Sequence, residues 1–153
     1  MIALQQAREL KGCEQAALRL VARAEQTVYG LSRKLEQKGY SASCVQAVVS
    51  RLSELGIVSD SRYAELWLNS RLTLGGNSPR RLNAALCSKG IDRDVVSAAL
   101  KAALNLEKET FLIRRFLEKK RLLPESDAAR RSLRQTLRDE GFSLKALDVW
   151  EGD

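Results

Sequence analysis

Apolar residues recur every three or four positions along most of the chain, and this spacing places them on one face of an α-helix. The segment that begins at Val45 is a clear case, because Val48, Val49 and Leu52 follow at i+3, i+4 and i+7. Residues 95–104 show the same pattern, with alanine at several of the apolar positions. The pattern predicts an all-α protein, and the abundance of alanine and leucine favours the same fold class.

A motif of eleven residues occurs three times at equal spacing. The copies are LSRKLEQKGYS, LNAALCSKGID and LRQTLRDEGFS, which share L-x-x-x-L-x-x-x-G-[YIF]-[SD]. The glycines of the motif lie 51 residues apart in both intervals, at Gly39, Gly90 and Gly141. An equal interval that occurs twice, with its flanking residues preserved, indicates an internal structural repeat.

Each part of the motif has a meaning at the end of a helix. The two leucines are four residues apart and share one helix face, and the glycine then adopts the left-handed conformation that ends a helix. The apolar residue after the glycine folds back onto the helix that has just ended. The next residue is a favourable N-cap for the following helix in each copy, as Ser41, Asp92 and Ser143. The motif therefore predicts a helix, a capped stop and a new helix.

A further apolar stripe precedes each motif, so each repeat holds three helices and the whole chain about nine. Ser59 or Asp60 caps the first helix of the second repeat, Gly75-Gly76 connects that helix to the next, and Ser78-Pro79 opens the next one. Because units of this size are marginal as independent cores, we expect neighbouring repeats to pack on one another in an elongated, curved array. The predicted repeats span residues 1–58, 59–106 and 107–153.

Residue types that carry enzyme chemistry are scarce. The chain has no histidine, its three cysteines do not cluster, and Gly75-Gly76 lacks the spacing of a phosphate-binding loop. We therefore predict a protein that is not an enzyme and has no catalytic residue, metal site or cofactor. No apolar run is long enough for a membrane span, and charges interrupt the N-terminal segment. These features predict a cytoplasmic, monomeric protein with reduced cysteines and no membrane contact.

The charge is basic and unevenly distributed. The net charge of +7 comes from 26 basic and 19 acidic residues, which indicates an acidic partner. Residues 110–138 hold nine basic and three acidic residues, or +6 of this excess. Arg130, Arg134 and Arg138 form a row on one helix face, where like charges repel by about 0.2–0.5 kcal/mol per pair. We expect the row to meet phosphate or carboxylate, and we expect Asp139 and Glu140 beyond it to be solvated.

A second basic cluster surrounds the start of the middle helix of the second repeat. The last helices of the repeats are mostly apolar, so a helix-turn-helix protein that reads duplex sequence is a weak hypothesis. A solvated polar face stays open as the plain interpretation of both clusters. The predicted partner-binding residues are Arg62, Arg71, Arg80, Arg81, Lys89, Arg114, Arg115, Arg130, Arg131, Arg134 and Arg138.

Several ordered motifs resemble the RecX family, whose members regulate the RecA recombinase. The middle repeat carries the most distinctive of them, G-I-V-S-D-S-R-Y-A from Gly56, S-R-L from Ser70, P-R-R-L from Pro79 and K-G-I-D from Lys89. The C-terminal G-F-S-L-K-A-L-D-V-W fits the same family, and the resemblance covers roughly residues 14–150. The chain departs from the family's Gly-x-Gly-Pro loop, because Gly75-Gly76-Asn77-Ser78-Pro79 is one residue longer.

The resemblance implies a non-enzymatic regulator that binds RecA and the RecA–single-stranded-DNA filament. It implies that binding limits recombinase activity in DNA repair and the SOS response. Two alternatives stay open at this point. One is a DNA-binding protein that acts without RecA and without sequence specificity, and the other is a helical adaptor for some other protein.

Overall fold

Nine α-helices and no strands make up the computed structural model, which describes residues 1–153. The helices of the first repeat are α1 (Ile2–Arg23), α2 (Val28–Gln37) and α3 (Ala42–Glu54). Those of the second are α4 (Asp60–Leu74), α5 (Pro79–Ser88) and α6 (Arg93–Ala103). Those of the third are α7 (Leu106–Lys120), α8 (Asp127–Asp139) and α9 (Leu144–Gly152). The all-α prediction is confirmed.

The helices group into two compact units. The first unit holds residues 1–63 and 88–92, and the second holds residues 64–87 and 93–153. In the first unit α1, α2 and α3 pack against one another, and in the second α9 packs against α7 and α8. The boundaries of the three repeats and their arrangement as an elongated, curved array stay predictions. None of the nine helices is both long and apolar enough to cross a membrane.

The glycine stops form as the motif predicts. Gly39 has a φ of +95°, and its N–H donates to the carbonyl oxygen of Glu36 at 2.9 Å. The N–H of Tyr40 donates to the carbonyl oxygen of Leu35 at 3.4 Å, so both hydrogen bonds of a Schellman cap are present. The third copy forms the same pair of bonds around Gly141. These caps satisfy helix-end carbonyls that would otherwise lack a donor.

Capping hydrogen bonds form at some of the predicted N-caps and not at Ser41, which still occupies the N-cap position of α3. The hydroxyl of Ser143 accepts from the N–H of Ala146, and Ser59, rather than Asp60, caps α4. The side chain of Ser41 caps nothing; instead its N–H donates to Glu9 on α1 at 2.7 Å. This hydrogen bond lowers the pKa of Glu9, and the carboxylate of α1 binds the backbone N–H of the N-cap residue itself.

The core of the first unit lies between α1, α2 and α3. Leu35 and Leu52 are among its fully buried side chains, and burying each contributes about 1.5–3 kcal/mol. Cys13 and Cys44 are buried in the same core, and burial raises the pKa of Cys13 to about 12. A thiol with that pKa stays protonated and packs as a small apolar side chain. Cys87, which belongs to the second unit, is only partly buried.

The second unit buries side chains from all of its helices. Phe142, the residue after the third motif glycine, lies in the core and meets Phe116 edge-on, with ring centroids 6.2 Å apart. Such a pair adds about 0.5–1.5 kcal/mol beyond the burial of its area. The other large buried side chains are Leu68, Leu72, Leu82, Leu86, Val96, Leu112, Ile113, Leu117, Leu133, Leu137 and Leu147.

Candidate interaction surface

The predicted partner-binding residues differ in what their side chains do within the molecule. Arg62 and Lys89 belong to the first unit, and the other nine belong to the second. Most of the eleven are exposed, whereas Arg62, Lys89, Arg130 and Arg134 are partly buried. The contacts of each side chain within the molecule distinguish the cations that stabilise the fold from those that remain available to a partner.

Arg62 connects two loops of the first unit. Its guanidinium binds both carboxylate oxygens of Glu25, at 2.8 and 3.3 Å, and donates to the carbonyl oxygens of Gly56 and Ile57, both at 3.0 Å. The hydrogen bond to Glu25 raises the pKa of Arg62. The loop after α1 is thus tied to the loop before α4, and each of the three guanidinium nitrogens donates at least one hydrogen bond.

Replacing Arg62 with alanine is expected to lower the melting temperature, because two carbonyl oxygens and one carboxylate lose their shared donor. Arg62→Lys is expected to recover only part of the loss, since one ammonium group cannot reproduce the planar fork. Arg131→Ala, at an exposed position without such contacts, serves as the control. Thermal unfolding followed by circular dichroism measures all three, and equal melting temperatures would show that the fork is dispensable.

A second structural cluster lies at the start of α5. The hydroxyl of Ser78, which is fully buried, hydrogen-bonds to the carboxylate of Glu140, and the N–H of Arg80 donates to the carbonyl oxygen of Glu140 at 3.0 Å. The guanidinium of Arg81 lies 3.8 Å from the same carboxylate and 5.8 Å from the ring centroid of Phe116. The end of α8 is thereby fixed to the first turn of α5.

This cluster corrects the expectation that Glu140 is solvated. The side chain of Glu140 is only 17% exposed, whereas Asp139 beside it is exposed and accepts from Gln135. A negative charge at a helix C-terminus is unfavourable on its own, but the N-terminal turn of α5 supplies donors for it. The Ser-Pro pair that opens α5 was the only sequence signal of this site, because it marks a helix start in need of an anion.

Two of the three arginines in the row on α8 bind groups of α9, which belongs to the same unit. Arg134 binds Asp148 at 2.8 Å and also pairs with Glu151, both on α9. The hydrogen bond to Asp148 raises the pKa of Arg134. Arg130 donates to the carbonyl oxygen of Glu151 at 3.1 Å. Two of the three arginines therefore hold α9 against α8, and the repulsion expected along the row is offset inside the molecule.

Three further cations have partial partners. Arg71 lies over the ring of Trp67 with its guanidinium carbon 5.1 Å from the centroid, Arg114 pairs with Asp153, and Arg115 pairs with Glu118 at 2.9 Å. All three arginines are exposed. The two exposed ion pairs contribute about 0–1 kcal/mol each, and an exposed cation–π contact about 0.5–1 kcal/mol, so none of them prevents the same side chains from binding a partner.

The side chains of Arg80, Arg131 and Arg138 form no ion pair or hydrogen bond. All three are exposed, and each occupies a helix of the second unit. Arg131 and Arg138 both lie on α8. These three arginines are the predicted residues that the fold leaves most available.

Arg80 also stands at the rim of an open groove in the second unit, with a volume of about 470 Å³. Residues of α5, α6, α7 and the loop after α8 line it. The α6 side consists of Ser97, Leu100 and Lys101, which share one helix face, and of Leu104 directly after the helix. No motif in the sequence marks this face as functional. The lining residues are Pro79, Arg80, Asn83, Ser97, Leu100, Lys101, Leu104, Glu109 and Gly141.

No group of three or more histidine, cysteine, aspartate or glutamate side chains is placed to hold a metal ion. Asp148 and Glu151, for example, both pair with Arg134. The polar chemistry of the described surface is thus that of cations and capped helix ends.

Comparison with known proteins identifies the family. The family description of the first three-helix domain of RecX matches residues 13–52, and that of the second three-helix domain matches residues 59–100. Regulatory protein RecX of Mycobacterium sp. (strain JLS) is 37% identical over 139 residues, which cover 86% of this chain and 76% of the relative. The protein of the same name from Mycobacterium leprae (strain Br4923) is 32% identical over 133 residues, 85% of this chain and 78% of the relative.

Solved structures show the same fold. A crystal structure of RecX from Lactobacillus salivarius superposes with a TM-score of 0.75 at 21% identity, over 95% of this chain and 96% of that one. A second crystal structure of regulatory protein RecX gives a TM-score of 0.78 at 17% identity, over 99% of this chain and 76% of that one. With two domain matches and relatives above 30% identity along most of its length, the chain belongs to the RecX family of regulatory proteins.

Proposed function

We propose that this chain is a non-enzymatic regulator that binds RecA and RecA–DNA filaments and limits recombinase activity in DNA repair and the SOS response. It acts as a monomer in the bacterial cytoplasm. The observation that carries the proposal is the 37% identity to a regulatory protein RecX over 86% of the chain, because RecA regulation is what membership of this family implies.

The distribution of cations supports such a role. The exposed arginines of the second unit lie on several helices, and the chain as a whole carries a net charge of +7. A filament presents the same acidic surfaces and phosphates many times, so several weak contacts made by one chain add through effective concentration. We place the contact on the exposed members of the predicted set, which are Arg71, Arg80, Arg81, Arg114, Arg115, Arg131 and Arg138.

Pelleting of RecA filaments assembled on single-stranded DNA tests the proposal. The chain is expected to co-sediment with the filament at micromolar concentration and to slow both ATP hydrolysis and strand exchange. A catalytically silent protein of similar charge controls for non-specific attraction. Absence of co-sedimentation, together with unchanged strand exchange, would contradict the proposed function.

A second candidate function is RecA-independent, non-specific DNA binding. The unpaired guanidinium groups of Arg131 and Arg138 favour it, because free cations on one helix are suited to phosphate. Such binding weakens steeply with salt, with a log–log slope of about −0.9 per duplex phosphate neutralised. Binding of a duplex without RecA, lost in Arg131→Glu with Arg138→Glu, would support this alternative, and failure to bind DNA at low salt would exclude it.

A further inference from the structure

The last helix of the second repeat is covered less than its counterpart in the first. In α3 five side chains are buried, whereas in α6 only Val96 is. The 51-residue interval pairs Leu100 with Val49, which is 3% exposed. Leu100 is only partly buried, and with Leu104 it lines the open groove instead of a core. Leu100 therefore lacks, within the second unit, the burial that its counterpart Val49 has in the first.

Two cations flank these leucines without a partner in the molecule. Arg80 on α5 and Lys101 on α6 both line the groove, are exposed, and form no ion pair. The one carboxylate in the lining, Glu109, has both of its oxygens bound by Ser143, through the N–H of Ser143 at 3.3 Å and through its hydroxyl. The groove therefore combines an apolar floor with two cations that lack an ion-pair partner and one carboxylate that Ser143 already binds, which leaves a net charge of +1.

This combination favours a protein segment over nucleic acid. A DNA backbone gains from the two cations but nothing from Leu100 and Leu104, and no aromatic ring lines the groove to stack with a base. An aliphatic side chain with a carboxylate close to it satisfies both parts of the site. Asn83, whose amide also lines the groove, adds a donor for the backbone of such a segment.

We propose that the groove between α5, α6 and α7 is the docking site for an acidic, aliphatic segment of RecA. The aliphatic side chain covers Leu100 and Leu104, and its carboxylate pairs with Arg80 and Lys101. This inference rests on the proposed function, because it names the surface through which the regulator holds its protein partner.

Charge reversal with a matched control tests the rim. Arg80→Glu with Lys101→Glu changes the net charge from +7 to +3, and Lys120→Glu with Lys145→Glu makes the same change at exposed positions of α7 and α9. Binding to RecA is measured by co-sedimentation with filaments. The groove pair is expected to weaken binding at least ten-fold, and the control pair, which lies outside the predicted binding set, less than three-fold. Equal losses in both pairs would overturn the inference, since bulk charge alone would then explain them.

Blocking the floor tests the apolar part without changing charge. Ser97 is exposed and lines the groove, so Ser97→Trp is expected to fill it, to leave the melting temperature unchanged and to weaken RecA binding at least ten-fold. Ser50→Trp, at an exposed position of α3, is the control and is expected to bind as the unmodified chain does. Because Ser97→Trp removes no contact, its effect on RecA binding can be interpreted even if the charge-reversed pair is less stable.

The outcomes separate the inference from the function on which it rests. If the unmodified chain binds RecA and Ser97→Trp binds equally well, the groove is not the docking site and the proposed function stands. If the unmodified chain does not bind RecA, both fail. If the groove variants lose DNA binding in the absence of RecA while RecA binding is intact, the occupant is nucleic acid and the inference is wrong.

A photoreactive benzophenone amino acid at position 97 identifies the occupant directly. Irradiation with RecA filaments is expected to attach a RecA peptide that contains an acidic residue beside an aliphatic one, and the same group at position 50 is expected to attach none. Crosslinking of equal yield at both positions, or a crosslinked peptide without an acidic residue, would contradict the proposed occupant.

Discussion

Replacing Gly90 with alanine is expected to lower the free energy of unfolding by about 4 kcal/mol. Gly90 has a φ of +82°, and this left-handed conformation costs an L-residue about 1–2 kcal/mol. A Cβ at this position would also lie 2.5 Å from both Cβ and Cγ of Tyr29. The Cβ of Tyr29 is fixed to the backbone of α2 and cannot rotate away, so overpacking adds about 1–3 kcal/mol.

Gly39→Ala is the matched control for this prediction. Gly39 occupies the same place in its motif and has a φ of +95°, but a Cβ there would meet no atom within 4 Å. Only the conformational cost of about 1–2 kcal/mol remains. Chemical denaturation of both variants separates the two contributions. Equal losses of stability would mean that α2 moves aside at no cost and that the contact with Tyr29 is not tight.

Replacing Glu140 with alanine is expected to lower the free energy of unfolding by about 2 kcal/mol. The hydroxyl of Ser78 is fully buried and would lose its acceptor, and leaving such a group unpaired costs about 1–3 kcal/mol. Glu140→Gln is expected to retain most of the stability, because its amide oxygen accepts the same hydrogen bond. At about 2–4 °C per kcal/mol, the alanine variant melts about 6 °C lower than the unmodified chain.

Asp139→Ala tests whether position in the helix or contact with α5 is responsible. Asp139 is the preceding residue at the end of the same helix, but it is exposed and bound only by Gln135. Its removal is expected to leave the melting temperature within about 1–2 °C of the unmodified value, as for most surface substitutions. A loss as large as that of Glu140→Ala would show that a general charge effect, and not the Ser78 hydrogen bond, stabilises this end of α8.

The sequence shows where the arginines are along the chain but not which of them form ion pairs. Charge counting treats Arg134 and Arg138 alike, because both belong to one row four residues apart. Only the packing of α9 shows that Arg134 binds two acidic side chains there while Arg138 binds none. The spacing of residues and their charge are local properties of one helix, whereas the formation of an ion pair depends on which second helix packs against it. The same reason explains why Glu140 was expected to be solvated.

The groove beside α6 could not be predicted from the sequence, for a related reason. The stripe on α6 was recognised as apolar, and a stripe of this kind is normally covered by a neighbouring helix. Leu100 and Val49 hold equivalent positions in their repeats, and no property of either residue alone distinguishes a covered side chain from an uncovered one. The difference lies in what packs on them, which the repeat pattern does not contain.

The sequence by itself determined the all-α class, the nine helices, the glycine stops and the regulatory family. These depend on short-range properties: residue spacing on a helix, the freedom of glycine at positive φ, and ordered motifs. Only the tertiary structure distinguished the three motif glycines, because Gly90 lies against Tyr29 and Gly39 against nothing. It alone also divided the arginines into paired and free groups and left Leu100 uncovered. Those distinctions arise from contacts between residues far apart in the chain, and such contacts exist only once the helices have packed.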